Sequence, residues 1–245
     1  MTLRGMQAFV TGASSGLGQC IAERLAAEGM NVGILGRDPK RLEAVAARCR
    51  TFGVKVHAVP GDLADAQYIA KAYESVTSAL GPIDVVVNNA AISQTQRLRV
   101  GDVPLDLWDE MQQTNVRATF VVCNIAATDM KKRGRGAIVN IGSTAAHVVL
   151  PGVGPYAASK FAVRALTDAM AQECDGTGVR VCLVSSGPIN TPFWDRRPGP
   201  PPMERSAMVQ PDDVFDAILW LITRPKNVRC DEILLRPART SPLEV

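Results

Sequence analysis

The chain has 245 residues, 47% hydrophobic and 21% charged, enough to bury one large core and ordinary for a single α/β domain spanning 1–245. Its 27 basic and 24 acidic residues are mixed along the chain and leave a net charge of +3, which argues against a nucleic-acid or anionic-membrane surface. Cys20, Cys49, Cys123, Cys174, Cys182 and Cys230 show no C-x-x-C spacing, and His57 and His147 are the only histidines, so buried thiols are expected and no metal site.

The start, MTLRGMQAFVTG, runs straight into a strand and a glycine turn, without the apolar region and cleavage site of a signal peptide. With no uncharged apolar run of about 18 residues, the protein is expected to be soluble and cytoplasmic. The apolar run 6–10 reads as a buried parallel strand. Thr11-Gly12-Ala13-Ser14-Ser15-Gly16-Leu17-Gly18 follows, then a helix through Ile21, Ala22 and Leu25 that stops at Gly29. A glycine turn between a strand and a helix N-terminus lets backbone approach a diphosphate, and the free N–H groups of the helix bind it.

The next strand, 31–35, ends in Gly36-Arg37. A dinucleotide site usually carries an acid there for the ribose 2′-hydroxyl. A guanidinium suits a 2′-phosphate, which favours NADP(H) over NAD(H). Asp38 pulls the other way, although Pro39 behind it makes Asp38 a natural helix N-cap. A helix over 39–51, a strand over 54–59 and a helix over 64–79 come next. Asp62 is either the N-cap of that last helix or an adenine contact. The strand 83–87 ends in Asn88-Asn89-Ala90, at the sheet end where such folds bind ligands.

Residues 106–133 carry one long helical pattern with Asn115 in its middle, an indifferent helix former with a polar task. Lys131-Lys132-Arg133-Gly134-Arg135 reads as its solvated end. The strand 137–141 closes on Gly142-Ser143, and a helix runs from Tyr156 to about 174. Tyr156 and Lys160 stand one turn apart on the same face of that helix. A cation about 5 Å from a phenol, at an effective dielectric near 20, is worth about 3 kcal/mol. That would bring the phenol from about 10 toward about 8, the range of a working general acid and base. After the strand 179–184 comes a proline-broken loop, 192–208, with Phe193 and Trp194, which reads as a lid. A helix over 211–223, a strand over 232–235 and a loose tail over 237–245 finish the chain. Strands alternating with helices predict a doubly wound, Rossmann-like parallel sheet with helices on both faces.

Taken together, T-G-x-x-x-G-x-G at 11–18, N-N-A at 88–90, Asn115, Ser143 and Y-x-x-x-K at 156–160 resemble the short-chain dehydrogenase/reductase family over nearly the whole chain. The resemblance implies Tyr156 as proton donor and acceptor, and Ser143 as the group that bonds the substrate carbonyl. It implies that Lys160 binds the cofactor ribose and depresses the Tyr156 pKa, and that Asn115 holds a relay water. Gly12, Ser14, Ser15, Gly16, Leu17 and Gly18 would cradle the diphosphate. Asp62 and Leu63 would meet the adenine, Asn89 and Ala90 the adjacent ribose side, and Ile189 and Thr191 the nicotinamide end. Phe193 and Trp194 would line the substrate.

Three positions depart from the family pattern: Ala91 stands where glycine is usual, Ser186-Gly187 replaces Pro-Gly, and 192–208 matches no subfamily. The implied enzyme moves a hydride between a nicotinamide and a small carbonyl or secondary alcohol. Two alternatives stand beside it. One is a reductase of 3-oxoacyl thioesters, for which Arg196, Arg197 and Arg205 would supply a basic mouth. The other is a non-catalytic NADP-binding regulator on the same fold, against which the joint presence of Asn115, Ser143, Tyr156 and Lys160 argues. The apolar breadth of the Tyr156 helix and the helix before it implies a homodimer or homotetramer.

Overall fold

The protein is described by a computed structural model that covers residues 2–225 and 227–238. The strands are β1 (Gln7–Thr11), β2 (Asn31–Gly36), β3 (Val56–Pro60), β4 (Val85–Asn88), β5 (Gly136–Ile141), β6 (Val179–Ser186) and β7 (Glu232–Leu235). They form one parallel sheet in the order β3-β2-β1-β4-β5-β6-β7. Between them run α1 (Gly16–Ala27), α2 (Pro39–Arg50), α3 (Ala66–Leu80), α4 (Leu105–Met111), α5 (Ala118–Arg133), α6 (Gly154–Glu173) and α7 (Pro211–Thr223). The doubly wound, Rossmann-like architecture is the one the alternation of elements predicts.

The strand period of two sorts the core into two layers. Ala8 and Val10 of β1, Val32 and Ile34 of β2, and Val139 and Ile141 of β5 pack with α1, α2 and α7. Phe9 of β1, Leu35 of β2, Val86 of β4 and Ile138 of β5 face the other side of the sheet and pack with α3 and α5. Phe9, Ile34 and Leu35 are fully buried, each stabilising the fold by roughly 1.5–3 kcal/mol. A sheet buried on both faces explains why its strands read as unbroken apolar runs.

Chain order reverses between β1 and β4, which are neighbours although two strands lie between them in sequence. The crevice beyond their carboxyl ends is where this topology places ligands. Two expected elements differ. The helix expected at 64–79 begins at Ala66, because Asp65 and not Asp62 caps it, its Oδ1 accepting from the N–H of Gln67 (2.8 Å) and Tyr68 (3.3 Å). The long helix expected at 106–133 is interrupted by a π-helical turn over Gln112–Arg117, centred on Asn115. Of the tail expected at 237–245, residues 239–245 lie outside the described residues.

Candidate active site

The glycine turn is built by close backbone approach. Thr11 Oγ1 accepts from the N–H of Asn89 (3.1 Å) and Ala90 (3.2 Å), and Asn89 Nδ2 donates to the carbonyls of Thr11 (3.1 Å) and Gly12 (3.2 Å). These bonds stitch the end of β1 to the end of β4. A Cβ on Gly18 would overlap the Gly12 carbonyl and the Asn89 amide, and one on Gly12 would lie 2.7 Å from Ala90 Cα. Gly12 also has φ +67°, where a side chain is strained. Asn89 and Ala90 line the cleft, and the Asn89 amide is committed to this strut.

Ser15 is the N-cap of α1, yet its side chain makes no capping bond, and no acid stands in the first turn. The positive end of α1 therefore opens onto the cleft beside Ser14, Gly16 and Leu17, an arrangement that takes a phosphate. Farther along, Arg37 is exposed on the cleft wall. Asp38 is the N-cap of α2: its carboxylate accepts from Arg41 N–H (3.0 Å) and pairs with Arg41 Nε (3.3 Å). Its acid is thus engaged within its own helix, as the N-cap that Pro39 at the next position predicts. Asp62 folds back to accept from Ala64 N–H (3.0 Å), remains exposed on the cleft, and has the buried Leu63 next to it.

At the other end of the cleft, β5 delivers Ser143 and the first turns of α6 deliver Tyr156 and Lys160. Ser143 also caps the short turn Thr144–Ala146, accepting from Ala145 N–H (3.1 Å). Lys160 is buried, its Nζ donating to the Ile141 carbonyl (2.9 Å) and lying 5.7 Å from the Tyr156 ring centroid. Burial lowers its pKa from 10.5 to about 8. The Tyr156 phenol moves opposite to the expectation: desolvation raises its pKa above 10, and the Ser143 hydroxyl and the Arg197 guanidinium only partly offset that. Lys160 is not among the groups that lower it; its ammonium is directed at the Ile141 carbonyl, and desolvation of the phenol outweighs the charges nearby.

Asn115, expected beside Lys160, is buried behind the cleft wall and does not line it. Its Oδ1 accepts from Ile92 N–H (2.8 Å), and its Nδ2 donates to the Ile92 carbonyl (2.9 Å) and to Ser159 Oγ (3.0 Å). Its backbone carbonyl accepts from Thr119 Oγ1 (2.8 Å). The π turn thus sets an amide that ties the segment after β4 to the helix carrying Tyr156. The side chain of Asn115, for which a relay water is expected, is bonded to Ile92 and Ser159.

The loop after β6 closes the cleft. Ile189 and Thr191 line it; the Ile189 carbonyl accepts from Trp194 Nε1 (2.8 Å) and the Thr191 carbonyl from Arg205 Nη1 (2.9 Å). Phe193 and Trp194 meet edge to face, with centroids 5.1 Å apart. Arg205 pairs with Asp195, braces the loop from within and does not line the cleft, whereas Arg196 and Arg197 of the expected basic mouth do. Arg196 Nη2 reaches Ser15 Oγ (3.4 Å) across the cleft. The whole cleft encloses about 540 Å³, within the range of small-molecule and cofactor sites.

The family model for short chain dehydrogenases matches residues 6–199. The chain is a short-chain dehydrogenase/reductase. It is 32% identical over 241 residues to an uncharacterized oxidoreductase of Staphylococcus saprophyticus, covering 96% of this chain and 98% of that one. A metagenomic short-chain oxidoreductase solved in complex with NADP superposes with a TM-score of 0.85 at 30% identity, over 98% and 100% of the two chains. An alcohol dehydrogenase from the archaeon Thermococcus sibiricus, complexed with 5-hydroxy-NADP, gives 0.86 at 28% identity over 97% and 99%.

Several cleft residues of this short-chain dehydrogenase/reductase escaped the sequence reading. Ile92 and, on the loop between Ser143 and Tyr156, Val148, Leu150 and Val153 line the cleft with apolar side chains. Val148 and Leu150 are more than half exposed, and exposed apolar residues in a loop are the signal that could have found them. Arg41 joins Arg37 on the wall; its place one turn into α2 was the available cue.

Proposed function

We propose that the enzyme transfers a hydride between NADP(H) and a small carbonyl or secondary alcohol, with Tyr156 as general acid and base. The observation that carries this reading is the joining, in one cleft, of an open helix N-terminus and Arg37 at one end with Tyr156, Ser143 and Lys160 at the other. The residues fit a nicotinamide dinucleotide: α1 offers uncapped N–H groups for its diphosphate, and Arg37, without an ion pair among the described residues, suits a 2′-phosphate. A nicotinamide bound here supplies or accepts the hydride. The NADP complexes among the structural neighbours support the same choice.

The chain's own groups handle the proton. Ser143 Oγ bonds the substrate carbonyl oxygen and holds it against Tyr156, which donates its proton to that oxygen during reduction. A phenol raised by burial stays protonated at neutral pH, the state that donation to the substrate oxygen requires. Lys160, with a pKa of about 8, carries a proton that can be replaced near neutrality, and it lies where ribose hydroxyls would accept from its ammonium. Asn115 positions Ile92 and α6 from behind. Ile189, Thr191 and the lid 192–208 cover the nicotinamide end.

Between the two substrate alternatives, the apolar wall of Val148, Leu150, Phe193 and Trp194 favours a small carbonyl compound over a carrier-bound 3-oxoacyl thioester; of the three arginines of the basic mouth, Arg205 is paired within the lid, and Arg196 and Arg197 line the cleft. Trp108 on α4, Phe120 on α5 and Phe161 on α6 are exposed, which supports a homodimer or homotetramer; a monomer by light scattering at micromolar concentration would refute that part.

The test is NADPH and NADH oxidation by the pure enzyme with a 1,2-diketone, an aromatic aldehyde, a cyclic ketone and an acetoacetyl thioester. Turnover with NADPH in preference to NADH is expected, and Tyr156→Phe should lower it by about 10²–10⁴-fold, the range of general acid catalysis. A variant that keeps wild-type rates removes Tyr156 from the chemistry.

A further inference from the structure

The substrate end of the cleft holds a cation that proton transfer does not require. Arg197 lies in the lid with its guanidinium carbon 5.3 Å from the centroid of Phe193 and 5.5 Å from that of Trp194. Its Nε donates to the Thr95 carbonyl (3.1 Å), on the loop that follows β4. Stacking on two rings and a bond to backbone fix the group where lid and loop meet. Arg197 is half-buried and lines the same cleft as Tyr156, near enough for the two groups to influence each other's proton affinity.

No carboxylate pairs with Arg197 among the described residues, and its Nη nitrogens make no hydrogen bond there. The other charge acting on it is a second cation, Arg97. A partly desolvated guanidinium beside another cation is unfavourable by itself. The remaining walls at this end, Ile92, Val148, Leu150 and Val153, offer it no countercharge. Arg197 is therefore prepared for an anion from outside the protein, and a guanidinium fork matches a carboxylate or a phosphate. The glycine turn that would take a diphosphate is reached by the neighbouring Arg196, at Ser15, and not by Arg197.

Resting on the reading of Tyr156 as the proton donor, we infer that the substrate is an anionic carbonyl compound, whose carboxylate or phosphate pairs with Arg197 while its carbonyl lies at Ser143 and Tyr156. The hydride goes to the carbonyl carbon and the Tyr156 proton to its oxygen, as above. The anionic group takes no part in bond changes and sets which molecule is held. The apolar wall accommodates the skeleton that joins the two groups.

The experiment compares matched pairs on the NADPH-loaded enzyme: 4-formylbenzoate against its methyl ester, and acetoacetyl-4′-phosphopantetheine against the dephosphorylated thioester. The expected kcat/KM ratio of anion to neutral partner is at least tenfold in one pair. In Arg197→Gln that ratio falls at least tenfold, and Arg197→Lys restores part of it. Preference within the first pair names a small acid, and within the second a phosphate-bearing thioester. A ratio near one in both pairs, or one unchanged in Arg197→Gln, overturns the inference. If no aldehyde or thioester turns over, the oxidoreductase reading fails separately, and quenching of bound NADPH fluorescence still decides this one. Benzoate should then bind at least tenfold more tightly than methyl benzoate, and lose that advantage in Arg197→Gln. Equal binding of the two overturns it.

Discussion

At the β1 end of the cleft the working surface is main chain: the Gly12 turn, the uncapped N-terminus of α1, and an asparagine whose amide props two carbonyls. At the α6 end it is side chains: a phenol, a hydroxyl, a buried lysine, and a lid with two aromatic rings, edge to face, beside an arginine. A main-chain surface tolerates almost no change, because an added Cβ meets backbone. A side-chain surface can be rebuilt residue by residue. One end can thus take the same dinucleotide in many relatives while the other takes whatever substrate its loops present.

The largest effect should come from the side-chain end, at Lys160. Its folded pKa of about 8 lies below the ordinary 10.5. Below pH 8 both folded and unfolded chains hold the proton, and the full penalty of burying that charge is present. Between about 8 and 10.5 the unfolded chain binds more protons, so stability rises with pH. The gain is on the order of 3 kcal/mol once both pKa values are passed. Denaturant unfolding of wild type and Lys160→Met at pH 7 and above pH 10 measures it, the variant cancelling the other titrating groups. The difference should move in favour of the wild type by about that amount; a pH-independent difference would mean that Lys160 is not desolvated. The comparison is then weakened at its strongest point.

The second effect attacks the main-chain end. Gly18→Ala places a methyl where the Gly12 carbonyl and the Asn89 amide now sit. The crowding should cost about 2 kcal/mol, beyond the roughly 1 kcal/mol that alanine gains over glycine in a helix. Dinucleotide affinity should fall with stability, because the displaced atoms shape the phosphate turn. Unfolding midpoints and an NADPH titration read both. A stable variant with unchanged affinity would show that the turn has slack, and that the contrast between the two ends is one of chemistry and not of tolerance.

The same contrast decides what the sequence reveals. The strand period, the glycine turn and the Asp38-Pro39 cap are local, so residues a few positions apart specify them. The Tyr156–Lys160 pair needs only helical spacing to be seen. Asp65 was passed over for Asp62 because both precede the helix and only backbone geometry chooses between them. The π turn at Asn115 depends on Ile92 and Ser159, 23 and 44 residues away, which no local pattern connects. The Tyr156 shift was misjudged for a related reason: spacing shows which charge is near, whereas desolvation depends on everything else that is near. The partners of Arg197 and Arg205 are likewise set by how the lid folds, and proline-rich loops carry no period from which to infer it.

The smallest effect lies where the two kinds of surface meet, at the adenosine end. Asp38 is held by the N–H and the guanidinium of Arg41, which leaves Arg37 as the side chain suited to a 2′-phosphate. Arg37 is exposed, so its contribution is screened, and Arg37→Gln should weaken NADPH by about tenfold, or about 1.4 kcal/mol. NADH, lacking the phosphate, should change by less than about twofold. Asp38→Asn keeps an N-cap of equal quality, so the ratio of the two affinities should not move. Fluorescence titration of both coenzymes against both variants separates the cases. If Asp38→Asn instead weakens NADH while Arg37→Gln leaves NADPH alone, the carboxylate leaves its cap to hold a ribose. This end of the cleft would then belong with the adjustable side-chain half, and only the glycine turn would remain as the fixed part of the site.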